Sequence, residues 1–344
     1  MAIDIFAPQI SQIVEGTKGK VILITGDNRT GKSKQAARFP KPYFLAFEPG
    51  LEAISGIPFQ FISKWSDSES FLKQLRQSDN LAKFKEHYET IVIDPLDAFG
   101  SVAINYVVEY FDKDYLGQKR KGDDKYSKEY KYLETLVQNW IRGLTSLGLT
   151  VLFLDHPAYE TVKIDDEEYK YAYPAGDNRV VKTVCDLATI IYLKSNGVDE
   201  NGNVIPSTAY FRENIYGWKA GGRYDYLPYS VEFSYENVEK AFTEAIAKEE
   251  QVKKLGTIDI DTYNKRNEGY NEPLDEIKKR IGAARKNIQG IDPNLTYYIQ
   301  VVENRLGDPD IKIKSLGEEK RVSLELILLD LETYLENNDI STQE

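Results

Sequence analysis

Eight consecutive residues, Gly26-Asp27-Asn28-Arg29-Thr30-Gly31-Lys32-Ser33, carry the densest chemical signal in the chain. Two glycines four residues apart, followed by Lys and Ser, fit the pattern of a loop that wraps phosphate with its backbone. Gly26 and Gly31 permit conformations that turn amides toward phosphate oxygens. Lys32 then reaches the β- and γ-phosphates, and Ser33 ligates Mg²⁺. The second half of such a site lies downstream, where the apolar run Ile91-Val92-Ile93 ends at Asp94. A carboxylate there holds Mg²⁺ through its water shell. ATP and Mg²⁺ are the expected ligands, although Asn28 and Arg29 are bulky for a phosphate loop. Asp97 is a neighbouring carboxylate, for which the N-cap of a helix beginning near Ala98 is the simpler expectation.

Hydrolysis also needs a group to orient or deprotonate water. Pro95 and Leu96 occupy the positions directly after Asp94, so no glutamate stands there. Glu48 follows the strand-like run Tyr43–Phe47 and is the candidate base; the alternative is a surface-loop glutamate. His156 follows the run Val151–Leu154 and is a candidate γ-phosphate sensor; the alternative is a satisfied structural histidine.

Those residues need elements to place them. Val21–Ile24, Tyr43–Phe47, Ile91–Ile93, Val151–Leu154 and Ala188–Leu193 are short apolar runs. Such runs read as strands buried on both faces. Polar, helix-like stretches lie between them, among them 34–39, 68–86 and 128–147. Alternation of this kind predicts an α/β fold with a largely parallel sheet, whose ligands sit beyond the carboxyl ends of the strands. From about residue 237 the pattern becomes helical and charged, with amphipathic stretches at 274–288 and 322–335. The last 20 residues hold six acids and no Lys or Arg. The expected division is an N-terminal segment 1–17, a core 18–240 and a helical, acidic region 241–344.

Composition narrows the function. The chain has 344 residues and 44 Lys+Arg against 55 Asp+Glu, a formal charge of −11. A passive nucleic-acid coat would be basic, so any such contact must be local. One cysteine, Cys185, and two histidines exclude a disulfide framework and a multi-cysteine zinc site. The N-terminus lacks a signal-peptide pattern, and no apolar run approaches about 18 residues. A cytoplasmic protein without membrane contact is expected, in a bacterial host if a phage encodes it.

The order of these pieces resembles the RecA-like core over roughly residues 18–235: phosphate loop, Phe47-Glu48-Pro49-Gly50, Ile93-Asp94, then Leu154-Asp155-His156. More narrowly it is similar to phage nucleotide-binding proteins of the Sak type, RecA-related ATPases linked to single-strand annealing and recombination. The resemblance implies that Glu48 is the catalytic base. It implies that the residue at His156, glutamine in many relatives, couples nucleotide state to a DNA-binding loop. It also implies that basic residues between 210 and 228 reach a neighbouring subunit's nucleotide. Lys219 and Arg223 are the candidates, with ordinary surface bases as the alternative. A homo-oligomer, ring or filament, follows.

RecA-like proteins bind single strands through two loops, and both have counterparts here. Residues 112–132 hold seven Lys/Arg, five acids and four tyrosines. Lys119, Arg120, Lys121 and Tyr126 are the candidate single-stranded DNA contacts, because bases stack on rings while phosphates pair with cations. The second stretch, 158–182, carries Tyr159, Tyr169, Tyr171, Tyr173, Arg179 and Lys182. It also carries Asp165-Asp166-Glu167-Glu168, which repels phosphate. Either stretch could instead be a solvated loop. The leading expectation is a DNA-stimulated phage ATPase of recombination or replication. The alternative is a nucleotide-dependent partner protein, such as a helicase loader, that docks a replication protein through its C-terminal region. A small-molecule kinase fits less well, because residues 112–132 are rich in lysine and tyrosine where a kinase lid carries arginines.

Overall fold

A computed structural model of the chain describes residues 11–51, 54–120, 128–266, 274–317 and 320–338. The chain divides into two compact units, 1–267 and 268–344. Lys121 and Tyr126 lie outside the described residues.

The first unit begins with β1 (Ile13–Val14), β2 (Val21–Gly26), α1 (Lys32–Ala36), β3 (Pro42–Ala46) and β4 (Phe59–Phe61). Then come α2 (Trp65–Leu75), α3 (Ser78–His87), β5 (Thr90–Asp94), α4 (Leu96–Tyr110), α5 (Lys128–Ser146) and β6 (Thr150–Asp155). After these follow β7 (Pro157–Ile164), β8 (Glu167–Pro174), α6 (Asn178–Leu187), β9 (Thr189–Lys194), β10 (Thr208–Tyr210) and β11 (Ser230–Glu232). The unit closes with α7 (Tyr235–Lys253), β12 (Thr257–Ile258) and α8 (Ile260–Arg266).

Among the described residues, eight strands form one sheet in the order β11-β10-β9-β2-β6-β5-β3-β4. The six from β9 to β4 run parallel, and β10 and β11 are antiparallel additions. All five apolar runs become strands of this sheet. Their side chains alternate between two cores. Leu23, Leu45, Ile91, Ile93, Val151 and Phe153 meet α2, α4, α5 and α6 on one face. Ile22, Ile24, Phe44, Val92, Leu152 and Leu154 meet α1 and α7 on the other.

The helices form where apolar residues recur every three or four positions. In α4 these are Leu96, Phe99, Ala103 and Val107; in α5, Leu133, Val137, Trp140, Ile141 and Leu144. The stretch 68–86 is two helices rather than one. The buried face of α2 ends at Leu75, and Gln77 turns extended (φ −77°, ψ 123°) to start α3.

The largest correction concerns 158–182. It is an antiparallel hairpin, β7–β8, followed by α6, not a loop. Its turn is two residues, Asp165 and Asp166, with φ of 51° and 67°. Two left-handed residues make the turn whose twist matches a hairpin, a job usually signalled by Asn-Gly or Asp-Gly.

Residue 240 falls inside α7, where Val238, Ala241, Phe242 and Ala245 are buried against the sheet. The expected boundary there therefore gives way to one near 267. Residues 13–14 likewise belong to the first unit, because β1 pairs with β12. The second unit is helical, with α9 (Leu274–Ile291), α10 (Thr296–Leu306), a 3₁₀ turn at Ile313–Ser315 and α11 (Arg321–Asn337). It has its own core, built from residues such as Ile277, Ile281, Val302, Ile327 and Leu331. Among the described residues, no helix is long and apolar enough to cross a membrane.

A chain ending at Asn267 is expected to unfold cooperatively. One ending at Lys240 loses Ala241, Phe242 and Ala245 from the core and is expected to lose that transition, read by circular dichroism on heating. In the full chain, Phe242→Ala should cost about 3–5 kcal/mol of stability in urea.

Candidate nucleotide site

The alternation that builds the two cores also decides which strand-end side chains meet. Ala46, Asp94 and Asp155 end β3, β5 and β6, and Phe47 N–H extends the pairing to the Asp94 carbonyl at 3.0 Å. Continuing the series Phe44, Val92 and Leu152 by twos puts Glu48, Asp94 and His156 on the face that carries α1. β6 lies between β2 and β5, so His156 emerges between the phosphate loop and Asp94.

The two glycines of the loop are needed for different reasons. Gly31 has φ 89°, a left-handed conformation that opens α1. Gly26 is needed for space: a Cβ there would stand 2.7 Å from the Leu193 Cβ and 2.9 Å from its carbonyl oxygen in β9. Arg29 also takes a left-handed φ of 65°. Thr30 Oγ1 donates to the Asp27 carbonyl at 2.8 Å, and the Ser207 hydroxyl donates to the Thr30 carbonyl at 3.1 Å. Asn28 lies on the exposed outer turn of the loop. α1 spans only five residues, shorter at its far end than the expected 34–39, because the chain tightens into turns before Pro40.

Lys32 folds back over this loop. Its ammonium donates to the carbonyls of Gly26 at 2.5 Å and Asp27 at 3.0 Å, and lies 3.4 Å from His156 Nδ1. Burial lowers the Lys32 pKa to about 8, against the pull of Asp94, Asp155 and Asp27. The cation is thus already stripped of much of its water, which strengthens its attraction to a phosphate. Burial and the Lys32 charge both hold His156 below its ordinary value, so its ring is neutral near pH 7. The Ser33 hydroxyl donates to Asp94 Oδ2 at 2.8 Å. Burial raises the Asp94 carboxyl, opposed by that hydrogen bond and by Lys32.

Ser33 and Asp94 present two hard oxygen donors at one point. That set fits Mg²⁺, which is typically held by one or two protein oxygens together with waters and substrate phosphates. No group of three or more His, Cys, Asp or Glu suited to a metal occurs among the described residues. Ser33 and Asp94 would hold the ion, which when bound neutralises charge on the phosphates. Glu48 is exposed at the rim, its carboxyl raised by desolvation and then by Asp97 and Asp94. A raised carboxyl close enough to feel the charge of Asp94 suits a general base. Asp97 is not an N-cap: α4 begins at Leu96, and Asp97 Oδ1 accepts from the Ala98 amide inside the first turn.

Three other groups were not legible as site residues. Asp155 continues the other face of β6 and is 0% exposed. Among the described residues, neither of its carboxylate oxygens has a well-formed hydrogen bond, and the same holds for the Thr25 hydroxyl paired with it in register from β2. Burial, then Asp97, push the Asp155 carboxyl up to about 8, with the His156 and Ala175 amides and Lys32 acting against them. Its only sequence signal is a charge closing an apolar strand. Tyr159, on β7, donates from its hydroxyl to Asp27 Oδ1 at 2.6 Å. Ser207 comes from a loop with no sequence mark at all.

The remaining candidates lie elsewhere. Lys119 is exposed, and Arg120 pairs with Asp112 at 3.1 Å. Their segment is anchored by Lys113, whose buried ammonium meets Glu129 at 3.0 Å and the Gln118 carbonyl at 2.7 Å. Arg179 stacks over the Tyr130 ring at 3.5 Å, which joins the first turn of α6 to α5. Arg223 donates to the Asp186 carbonyl at the end of α6, beside the start of β9. That is the amino edge of the sheet, away from its own phosphate loop. Lys219 is half-buried, with its amide bonded to the Ala172 carbonyl of β8.

The family described as AAA domain matches residues 18–224, more than half of the chain. The chain is also 38% identical over 343 residues to YorG, a SPbeta prophage-derived uncharacterized protein of Bacillus subtilis strain 168. That alignment covers 97% of this chain and 99% of the relative.

Lys32→Ala should abolish nucleotide binding in equilibrium titrations while leaving the melting temperature nearly unchanged. Folding raises the Asp155 carboxyl from about 3.9 in an unfolded chain to about 8. The folded state therefore holds the extra proton between those values, and stability falls as pH rises from about 4 to about 8. Asp155→Asn lacks that slope. The variant should gain on the wild type across this window, by on the order of a few kcal/mol, and by nothing further above it.

Proposed function

The chain belongs to the AAA domain family of P-loop NTPases, and from that premise we propose that it is an ATP-hydrolysing phage protein that acts on single-stranded DNA. One observation carries the ATPase reading: Lys32 lies 3.4 Å from His156 Nδ1, Ser33 bonds Asp94 at 2.8 Å, and the charges of Lys32 and His156 act on Asp94, with Glu48 exposed at the end of the neighbouring strand. In the reaction, a water oxygen bonds to the γ-phosphorus, its proton passes to Glu48, and the bond to the β–γ bridging oxygen breaks. Lys32 steadies the charge on the phosphates. Neutral His156 can donate to the γ-phosphate from one ring nitrogen while the other faces Lys32.

The DNA reading is supported by exposed Lys119 and by Tyr115 four residues before it, a residue 63% exposed. Exposed aromatic side chains in a segment that also carries cations are the composition that stacks unpaired bases. An oligomer is supported by Arg223, which lies too far round the sheet to serve its own nucleotide and would serve a neighbour's. The Sak-type resemblance supplies the recombination and annealing role, and the prophage relative supports a phage setting.

A second reading rests on the hairpin turn, where Asp165, Asp166, Glu167 and Glu168 stand exposed. That acidity favours a protein partner over phosphate. On this reading the chain is a nucleotide-dependent loader, and the helical second unit docks the partner.

Glu48→Gln should keep ATP binding and lower turnover by about 10²- to 10⁴-fold. Wild-type turnover should rise when single-stranded DNA is added at low salt and relax as salt is raised. An ATPase indifferent to DNA at every salt concentration would sink the DNA reading and leave the loader reading.

A further inference from the structure

The hydrogen bond between Tyr159 and Asp27 joins two parts of the chain that the site does not require to touch. Asp27 opens the phosphate loop, and its carbonyl is the acceptor for both Lys32 and Thr30. Its carboxylate accepts from the Tyr159 hydroxyl at 2.6 Å, across 132 residues of sequence. Tyr159 is the third residue of β7, in the hairpin that follows His156 without a linker. The Lys170 ammonium of the paired strand β8 stands 3.9 Å over the Tyr159 ring, a cation–π contact across the ribbon. The side chain is thus held from β8 through its ring and from the phosphate loop through its hydroxyl.

We propose that Tyr159 is a positioning residue of the nucleotide site: through Asp27 it sets the phosphate loop, so that bound nucleotide and the β7–β8 hairpin bias each other. This rests on the nucleotide reading above and adds a route separate from His156. The two sites need not touch for this to hold. Whatever nucleotide does to the hairpin, a ligand on the hairpin does to nucleotide affinity by the same factor. The hydroxyl is the working part, since the ring and the Lys170 contact survive its removal.

Tyr159→Phe in the full chain is the test, read by equilibrium binding of a fluorescent ATP analogue, by KM and kcat, and by hydrogen exchange of residues 157–174. The expected result is an affinity loss and a KM rise of about three- to tenfold, the range for a hydrogen bond of ordinary net strength, with a smaller change in kcat. Asp27→Asn keeps a carbonyl acceptor and should fall between wild type and Asp27→Ala. Adding Tyr159→Phe to Asp27→Ala should change nothing further. Nucleotide should slow exchange in the hairpin of the wild type and not in Tyr159→Phe. Lys170→Gln, which leaves the hydroxyl in place, should shift KM in the same direction by a smaller factor and serves if Tyr159→Phe fails to fold. Wild-type affinity in Tyr159→Phe, additive effects in the double variant, or a lowered melting temperature with unchanged KM would overturn the proposal while the nucleotide reading stands. A wild type that binds no more nucleotide than Lys32→Ala overturns both.

Discussion

Parallel pairing of β2 with β6 and of β6 with β5 is the constraint on which the site depends. It fixes which strand ends stand side by side, and the two-residue period of a strand then fixes which side chains face the phosphate loop. A slip of one residue in β6 would send His156 to the wrong face and bring Asp155 beside Lys32. Register here is set by burial on both faces, because each strand carries Ile, Leu, Val or Phe toward each core. The apolar layers therefore specify the chemistry, although no apolar residue takes part in it.

The same edge concentrates costly groups. Lys32, Asp94 and Asp155 are all withdrawn from water, and burial is the largest influence on the pKa of each. Lys32 and Asp94 have partners that offset the cost. Among the described residues, Asp155 and Thr25 do not. A fold built for stability alone would not leave a carboxyl and a hydroxyl unpartnered at paired positions of neighbouring buried strands. Such a pair marks a place where stability has been spent on something else.

Much of this was legible in the sequence. Five apolar runs gave the central strands because each was short, almost wholly apolar and closed by a polar residue. The phosphate loop and Asp94 were legible because their chemistry requires particular residue types at fixed spacing. What stayed hidden depended on long-range contact. Gly26 is confined by Leu193, far along the chain, and not by its own dihedral angles. The hairpin was masked by a turn made of two aspartates in place of a glycine. The break expected near 240 is wrong because α7 is as charged as the helices beyond it. Its buried Val238, Phe242 and neighbouring alanines tie it to the sheet. Tyr159 is one of 24 tyrosines, and nothing local sets it apart.

The hairpin itself has a mechanical consequence. Pro157 faces Pro174 across its base, and neither residue has an amide hydrogen to donate. The ribbon is a separate two-stranded arm outside the main ladder, tied near its base where the Ala172 amide donates to the Gly217 carbonyl and the Lys219 amide to the Ala172 carbonyl. Eight residues at about 3.3 Å each make that arm about 26 Å long. A tilt of about 10° at its root would carry the acidic turn some 4–5 Å, by simple leverage. A movement at Tyr159 too slight to break its hydrogen bond would become, at the far end, a displacement comparable to the spacing between strands.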